Sequence, residues 1–255
     1  MLNDKQIESF QEQSYLVVPG VVDLLTVQRL RAAHDDLLQR WSAECGVTLA
    51  DYERVVSQWT SVHEQHPAYA AQLHHPRVVA IARQLLAAPR IQLFHDHLIS
   101  KPPKVSETIP WHQDYPFWPI DRPHALSCWL ALDDADTASG AMSFMPAAHL
   151  EGECAPVDFL RKPKDWGARE CDKVATAVRA GDCIFHSCLS WHCSPPNQSA
   201  GPRRAFIAIM MAADCRYAPE HSGWHPMNAC VSVAPGEPFN SDRFPVLGDN
   251  TEVAL

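Results

Sequence analysis

The sequence has no apolar stretch that approaches the roughly 20 residues a membrane-spanning helix needs, so a membrane protein is not expected. It also has little positive charge, because 21 Lys and Arg residues face 30 Asp and Glu residues and the net charge is −9. A nucleic-acid partner requires a basic face, and no run of Lys or Arg supplies one. The polar start of the chain, residues 1–5, lacks the apolar segment of a signal peptide, which predicts a cytoplasmic protein.

Cysteine occurs nine times, but the spacing lacks the CxxC pairs that would indicate a zinc site or a redox motif. An odd number of cysteines without a clustered framework also argues against a disulfide scaffold. Several of these residues fall in apolar runs, where a free thiol behaves as a small hydrophobic side chain. The prediction is therefore a set of reduced core cysteines, among them Cys128, Cys183, Cys188 and Cys193.

Length and composition predict one domain over residues 1–255, since 46% hydrophobic and 20% charged residues are ordinary for a globular protein. The first part, residues 1 to about 90, is expected to be mainly helical. Asn3 is a candidate N-cap for a helix that carries Ile7 and Phe10 on one face. The other elements predicted here are a strand Tyr15–Val18, a helix Leu24–Trp41 and a helix near Val78–Leu86.

From Ile91 to about residue 215, short apolar runs alternate with Pro, Gly and Asn, which predicts a β-sheet core. Strands of this length with irregular connections favour a closed antiparallel barrel or jelly roll. The loop Leu150–Asp172 and the irregular C-terminal tail after Ala213 are expected to form a lid or edge at the barrel mouth. The predicted strands are Ile91–Ile99, Ala125–Leu132, Ala141–Met145, Val174–Val178, Cys183–Phe185 and Ala205–Met211.

The residues with the clearest chemistry are His112 and Asp114, in the segment PWHQDY. In extended chain, side chains two positions apart point to the same face, so these two can bind one metal ion. A lone HxD triplet is weak, because most such triplets are surface accidents. His192 comes about eighty residues later, after a turn and an apolar run that predict a buried strand. Two imidazoles and a carboxylate on one face of an octahedral ion are the ligand set of iron(II) oxygenases.

A candidate carboxylate-binding residue follows the third histidine. The stretch from Ser194 to Pro202 is rich in Pro and Gly and must turn the chain, so the next strand can run back beside the metal. Arg203 or Arg204, which point to opposite faces of that strand, would then aim a planar guanidinium fork at a carboxylate ligand. The alternative for either arginine is a solvated cation before a strand.

Together these segments resemble the phytanoyl-CoA dioxygenase family over residues 3 to about 217. The resemblance is carried by Lys101-Pro102-Pro103, Trp111-His112-Gln113-Asp114, Trp129, Gly181-Asp182, His192-Cys193-Ser194, Asn197 and Arg203. There are two departures from the family pattern. Ser14 stands where the first helix commonly ends in glycine, and Cys193 stands next to the distal histidine, where glycine is frequent.

The resemblance implies a mainly β protein with flanking helices, whose core is a double-stranded β-helix (a cupin-like jelly roll). It implies iron(II) on His112, Asp114 and His192, the catalytic centre, with 2-oxoglutarate and O2 as co-substrates. By matched position, the distal carboxylate of 2-oxoglutarate falls to Arg203 helped by Ser194, while Trp129 and His97 line its pocket.

The activity that the resemblance implies is oxidation of a C–H bond, with 2-oxoglutarate converted to succinate and CO2. Related halogenases replace the carboxylate ligand with a small residue so that chloride can bind. This sequence keeps Asp114, which favours hydroxylation or another oxidation over halogenation. A small organic metabolite is the expected substrate, because the chain has no obvious basic cluster for the phosphates of coenzyme A. The oligomeric state is left open.

Two other functions are compatible with parts of this pattern. A cupin-like hydrolase or isomerase using zinc or manganese also takes two histidines and one carboxylate, but has no use for Arg203 beside Ser194. A non-catalytic jelly-roll protein that binds a metal or small ligand would arise by loss of one of these residues, and all are present.

The other histidines are expected to be core or surface residues, although the spacing of His186 and His192 would put both on one face of an extended strand. Trp111, Tyr115, Phe117 and Trp118 flank the metal pair and predict either barrel core or an apolar wall around the substrate. Lys101 is expected to be a solvated loop residue. The remaining histidines in this group are His95, His97, His124, His149, His221 and His225.

Overall fold

The structure is a computed structural model that describes residues 1–52, 57–159, 172–240 and 242–248. Helix α1 (Asp4–Gln13) begins at the predicted cap. The Asn3 side chain accepts the Gln6 backbone N–H, and the Gln6 side chain accepts the Asn3 N–H in return. This capping box satisfies two N–H groups that the first turn of a helix otherwise leaves unpaired.

The remaining α-helices lie between α1 and the strand that begins at Ile91. The predicted second helix is present and extends beyond Trp41, while a helix starting at Pro67 was not predicted. These helices are α2 (Leu24–Glu44), α3 (Leu49–Tyr52), α4 (Pro67–Leu73) and α5 (Pro76–Leu85). None of the helices in the described ranges combines the length and apolar character needed to cross a bilayer.

The larger of two sheets forms most of the core. Its order is β1, β8, β5, β10, β3, β11, with β2 also paired to β3, and its pairings are antiparallel. Along β5 every residue is buried, as a strand covered on both faces requires. The strands are β1 (Tyr15–Val18), β2 (Ser57–Thr60), β3 (Ile91–Lys101), β5 (Ala125–Ala131), β8 (Cys183–Ser187), β10 (Arg203–Ala212) and β11 (Val246–Leu247).

The smaller sheet has the order β4, β9, β6, β7 and is also antiparallel. Its strands are short: β4 (Ile109–His112), β6 (Ser143–Phe144), β7 (Val174–Ala175) and β9 (His192–Ser194). Two curled antiparallel sheets make the double-stranded β-helix that the resemblance implied, with the helices packed outside it, so the predicted fold class is confirmed.

Several boundaries differ from those predicted. The strands expected over 141–145 and 174–178 are limited to two residues each, and β4 and β9 were not predicted as strands. The C-terminal tail is not wholly irregular, because β11 adds to the edge of the large sheet beside β3. The predicted loop Leu150–Asp172 falls partly outside the described residues. The eight cysteines within the described ranges are all free thiols.

Ser14 ends α1 in a left-handed conformation with φ of 69°, which is the geometry that favours glycine. Its side chain is buried and its Oγ has no hydrogen-bond partner among the described residues. Ser14→Gly removes both costs, so we expect it to stabilise the fold by about 1–2 kcal/mol. This corresponds to a rise of about 3–6 °C in the midpoint of thermal unfolding.

Ser14→Ala serves as the matched control for this prediction. It removes the unpaired hydroxyl but keeps a Cβ in the left-handed region, so it should recover less stability than Ser14→Gly. Equal midpoints for the two variants would show that backbone strain at residue 14 has no measurable cost.

Candidate active site

A cavity of about 520 Å³ lies against the inner faces of both sheets. Strands β3, β5, β8 and β10 of the large sheet contribute His97, Trp129, His186 and Arg203 to its wall. The small sheet contributes residues that include His112, His192 and Ser194. The tail after Ala213 covers part of the cavity mouth with residues 224–227. Its size is typical of enclosed sites for small molecules.

His112 and His192 meet because they are direct partners across β4 and β9. Opposed residues of antiparallel strands have their Cβ atoms about 5 Å apart, and here the ring centroids are 4.1 Å apart. Both imidazoles are buried. The strand pairing therefore fixes their separation through the backbone.

Asp114 reaches the same point by a different route from the one predicted. It lies beyond the end of β4, with φ −79° and ψ −41°, so it is not part of an extended HxD segment. The backbone N–H groups of Asp114 and Tyr115 both donate to the carbonyl oxygen of Cys188, at 3.1 and 3.0 Å, and hold this turn. Its Oδ1 then lies 3.5 Å from Nε2 of His112 and 3.8 Å from Nε2 of His192.

These three side chains are the group, within the described residues, whose geometry fits a metal ion: one ligand atom from each lies within 4.8 Å of the others. The Nδ1 atom of His112 faces the Pro110 carbonyl oxygen at 2.8 Å, and that of His192 faces the Ser190 carbonyl oxygen at 3.0 Å. A carbonyl oxygen only accepts, so each Nδ1 carries the proton and each Nε2 offers a lone pair. This donor set fits a divalent ion such as iron(II).

The charge states of the cluster also suit a cation. Burial, and after it the neighbouring His112, lowers the pKa of His192 well below its ordinary value, so the ring is neutral at pH 7. Burial alone raises the pKa of Asp114, but the neighbouring histidines His192 and His112 outweigh it and hold that pKa far below its ordinary value. The cluster is thus an ionised carboxylate with the Nε2 atoms of two buried histidines beside it.

Ser127, which the sequence did not single out, supports the carboxylate from β5. Its Oγ donates to Oδ2 of Asp114 at 3.1 Å, which leaves Oδ1 facing the two histidines. Groups that orient a metal ligand in this way usually change metal affinity about 10–100-fold when removed. We expect Ser127→Ala to weaken iron(II) binding by about tenfold, measured by competition with a chelator of known affinity.

A matched control for Ser127→Ala is Ser139→Ala, whose hydroxyl lies in a turn and donates to the Asp136 carbonyl oxygen. It should leave iron affinity unchanged. Equal affinity of the Ser127→Ala protein and the wild type would remove Ser127 from the site.

Arg203 and Arg204 lie on opposite faces of β10. Arg203 is 1% exposed and lines the cavity, and its Nη2 donates to Ser194 Oγ at 2.9 Å. Ser194 Oγ in turn donates to the Gly140 carbonyl oxygen at 2.9 Å. Arg204 points away and binds Asp133 with Nε and Nη2, at 2.8 and 3.0 Å.

The Arg203 guanidinium is an incompletely paired buried cation. Its Nε has no hydrogen-bond partner, and no carboxylate of the described ranges forms an ion pair with it. Burial lowers the pKa of Arg203 to about 10, so it stays charged at neutral pH. A buried charge without a counter-ion is costly, and a bound carboxylate removes that cost.

The position of this cation relative to Asp114 follows from β5. The guanidinium carbon of Arg203 lies 5.4 Å from the ring centroid of Trp129, and Trp129 is two residues along the strand from Ser127. Two strand residues span about 7 Å, and Ser127 contacts Asp114. The cation and the three-residue cluster therefore face the same cavity from neighbouring positions along β5.

The other predicted pocket residues are also in this cavity. His97 lines it opposite Ile207, and burial lowers the pKa of His97 to about 4. Cys193 is buried in the same wall. The prediction that Lys101 is a solvated loop residue was wrong. Lys101 is fully buried, and its ammonium donates to the carbonyl oxygens of Ser194 and Pro195 at 2.7 and 2.5 Å.

Several cavity residues were not predicted from the sequence as part of the site. His186 lies on β8 and His192 on β9, so they do not share one strand, yet their rings are 4.6 Å apart. His95 also lines the cavity instead of being an ordinary core residue, and His225 approaches from the tail. Strand alternation with His97 is the signal that would have found His95. No sequence pattern indicated His225.

Comparison with known proteins agrees with this geometry. A family model described as phytanoyl-CoA dioxygenase (PhyH) matches residues 10–205. The peroxisomal phytanoyl-CoA dioxygenase of Rattus norvegicus is 27% identical over 247 residues, covering 85% of this chain and 70% of the relative.

Two solved structures are similar over nearly the whole chain. The non-haem alpha-ketoglutarate-dependent carbocyclase SnoK from nogalamycin biosynthesis has a TM-score of 0.80 and 26% identity, with 96% of each chain covered. The epimerase SnoN, solved with Fe3+, alpha-ketoglutarate and nogalamycin RO, has a TM-score of 0.77 and 25% identity, with 95% of this chain and 97% of SnoN covered.

Proposed function

The chain belongs to the phytanoyl-CoA dioxygenase family, and from this premise we propose that it is an iron(II)- and 2-oxoglutarate-dependent oxygenase acting on a C–H bond of a small organic metabolite. In this proposal His112, Asp114 and His192 hold the iron, and Arg203 with Ser194 holds the distal carboxylate of 2-oxoglutarate. His97 and Trp129 form the wall beside that co-substrate.

The observation that carries the proposal is the pairing of a metal-ligand cluster with an unpaired buried cation in one cavity. Asp114 and Arg203 are the only formally charged side chains among the described residues that line it. The metal neutralises the first, and a dicarboxylate bound between them neutralises the second. A hydrolase or isomerase that uses only the metal has no need for the Arg203 arrangement.

When bound, iron(II) would supply open coordination positions at which O2 is reduced by four electrons, two from the oxidative decarboxylation of 2-oxoglutarate to succinate and CO2 and two from the oxidised C–H bond. The chain's own residues position the reactants. Arg203, held by Ser194 and packed over Trp129, orients the co-substrate before reaction. Ser127 keeps Asp114 turned towards the metal, and Phe117 and Trp118 help exclude water from the reacting carbon.

The test of this function is an anaerobic titration of the iron(II)-loaded protein with 2-oxoglutarate, followed through the weak visible charge-transfer band of the chelate. We expect a band that grows and saturates, and release of succinate and CO2 once O2 is admitted. Protein that gives no band and retains zinc in place of iron would contradict the oxygenase proposal and favour a cupin-like hydrolase. A band without succinate release would favour a binding protein.

A cytoplasmic location stays a prediction, and fractionation of the native host with an antibody to the chain would test it.

A further inference from the structure

Beyond the co-substrate pocket, a second group of cavity residues surrounds the metal cluster and has no assigned ligand. It consists of a polar part, His95 and His225, and an aromatic part, Phe117, Phe159 and Trp224, all of which line the cavity. Their arrangement specifies the chemistry of the molecule that is oxidised.

The polar part lies on the far side of the cluster from β8. Direct pairing across three ladders puts His95, Ile209, Ser127 and His186 in one row on the same face of the large sheet. Neighbouring strands are about 5 Å apart, so His95 lies about 10 Å across the sheet from Ser127, which contacts Asp114. A molecule beside the metal is therefore within reach of the His95 ring.

One nitrogen atom of each ring in this part is available for a ligand. His95 is 6% exposed, and its Nδ1 has no hydrogen-bond partner within the described parts of the chain. The His225 ring lies 5.4 Å from the His95 ring, and its Nδ1 accepts the Met227 backbone N–H at 3.2 Å. In the neutral ring the proton is then on Nε2 of His225, which is left as a donor.

Both imidazoles are uncharged at neutral pH. Burial lowers the pKa of His225 to about 4 and that of His95 well below its ordinary value. A buried polar atom without a partner is destabilising, and a hydrogen-bonding ligand would remove that cost. In the proposed function the two charged groups of the described cavity wall, Asp114 and Arg203, bind the metal and the co-substrate. No charge is left there to pair with an ionised group next to the reacting carbon.

The aromatic part is exposed and lies at the cavity mouth. Trp224 is 64% exposed and Phe159 is 46% exposed, and both rings contact Phe117, at centroid distances of 5.6 and 5.3 Å. Phe159 also packs edge-to-face with His112, with their ring centroids 5.1 Å apart. Exposed aromatic clusters of this kind bind apolar groups, and their flat faces favour rings.

We propose that the primary substrate is an uncharged, ring-containing molecule whose carbonyl or hydroxyl oxygen binds His95 and His225 beside the metal, while its rings pack against Phe117, Phe159 and Trp224. The inference rests on the proposed oxygenase function and defines its substrate class. It separates this chain from enzymes that need an ionised group beside the reacting carbon.

The test uses three matched bicyclic probes: tetralin, 1-tetralone and tetralin-1-carboxylate. Their dissociation constants are measured by anaerobic equilibrium dialysis against iron(II) protein saturated with 2-oxoglutarate. We expect the ketone to bind at least tenfold more tightly than the carboxylate, because burying an unpaired charge is far costlier than burying a neutral oxygen. Binding of the carboxylate as tight as that of the ketone, or binding of none of the three, overturns the proposal.

The role of the histidines is tested by the ratio of the ketone and hydrocarbon dissociation constants. His95→Leu and His225→Leu should each shift this ratio about fivefold to tenfold against the ketone, the size of one hydrogen bond. His95→Gln should restore part of the preference, because an amide also donates and accepts. Ile209→Val changes the same row without touching a polar atom and should leave the ratio unchanged.

A ratio unaltered in both leucine variants overturns the role of these histidines. His225 lies in the tail outside the sheets, so its variant keeps the test informative if His95→Leu disturbs the fold. Failure of the proposed oxygenase function is distinguishable from failure of this substrate inference. The first shows as absence of the charge-transfer band in the wild type, which the dialysis does not measure.

Discussion

Replacing Asp114 with alanine should remove iron-dependent conversion of 2-oxoglutarate to succinate, with a loss of more than about 100-fold. Its Oδ1 faces Nε2 of both His112 and His192, so the variant leaves two neutral nitrogen ligands and no anion. Residues that only orient a ligand change affinity or activity about 10–100-fold, and loss of the ligand itself must exceed that range. Succinate release and iron content per chain are the two measurements.

A control carboxylate is available at an exposed turn, where Asp134 accepts the Ala180 backbone N–H. Asp134→Ala should keep both the iron content and the activity of the wild type. His112→Ala and His192→Ala should behave as Asp114→Ala does. An Asp114→Ala protein that binds iron stoichiometrically and turns over normally would move the carboxylate ligand elsewhere.

Arg203→Ala should raise the concentration of 2-oxoglutarate needed for half-maximal turnover by about 100-fold. In the proposed site this buried guanidinium binds the distal carboxylate, and hydrogen bonds between charged groups are worth about 1.5–3 kcal/mol each. The variant keeps the three candidate iron ligands, so its iron content should not fall. Titration of the charge-transfer band measures the effect as a binding constant.

Arg204→Ala is the neighbouring control, because this side chain binds Asp133 and Asp35 outside the cavity. We expect it to lower the free energy of unfolding by about 2 kcal/mol and to leave the 2-oxoglutarate requirement unchanged. The reverse pattern, with Arg204→Ala weakening 2-oxoglutarate and Arg203→Ala not, would exchange the two roles.

Much of the fold was predictable from the sequence, because a helix cap or a run of apolar residues marked many of its elements. The Asn3 cap, strand Tyr15–Val18 and the strand that carries His97 follow from short-range patterns. The strands of the small sheet were predicted less well, since two to four residues show little period: β4 and β9 were not predicted as strands. Strands β6 and β7 were predicted, but each has two residues where five were expected.

The candidate site was predictable to the extent that its residues belong to motifs. His112, Asp114, His192 and Arg203 come together from segments the sequence singled out. Ser127 and His225 reach the same cavity through strand register and through the path of the tail, which no local pattern encodes. Lys101 was misplaced for a related reason, because the two carbonyl oxygens that receive its ammonium lie more than ninety residues away.

The pairing of His112 with His192 has a consequence for how the fold opens. An ion held by both side chains ties β4 to β9, the two strands that these histidines join. The small sheet has few backbone hydrogen bonds of its own, so it is the region expected to open first, while the long β3–β10 ladder stays closed. Metal loading should therefore slow amide hydrogen exchange selectively in the small sheet. The reason is that the bound ion would cross-link β4 and β9, which form one wall of the barrel.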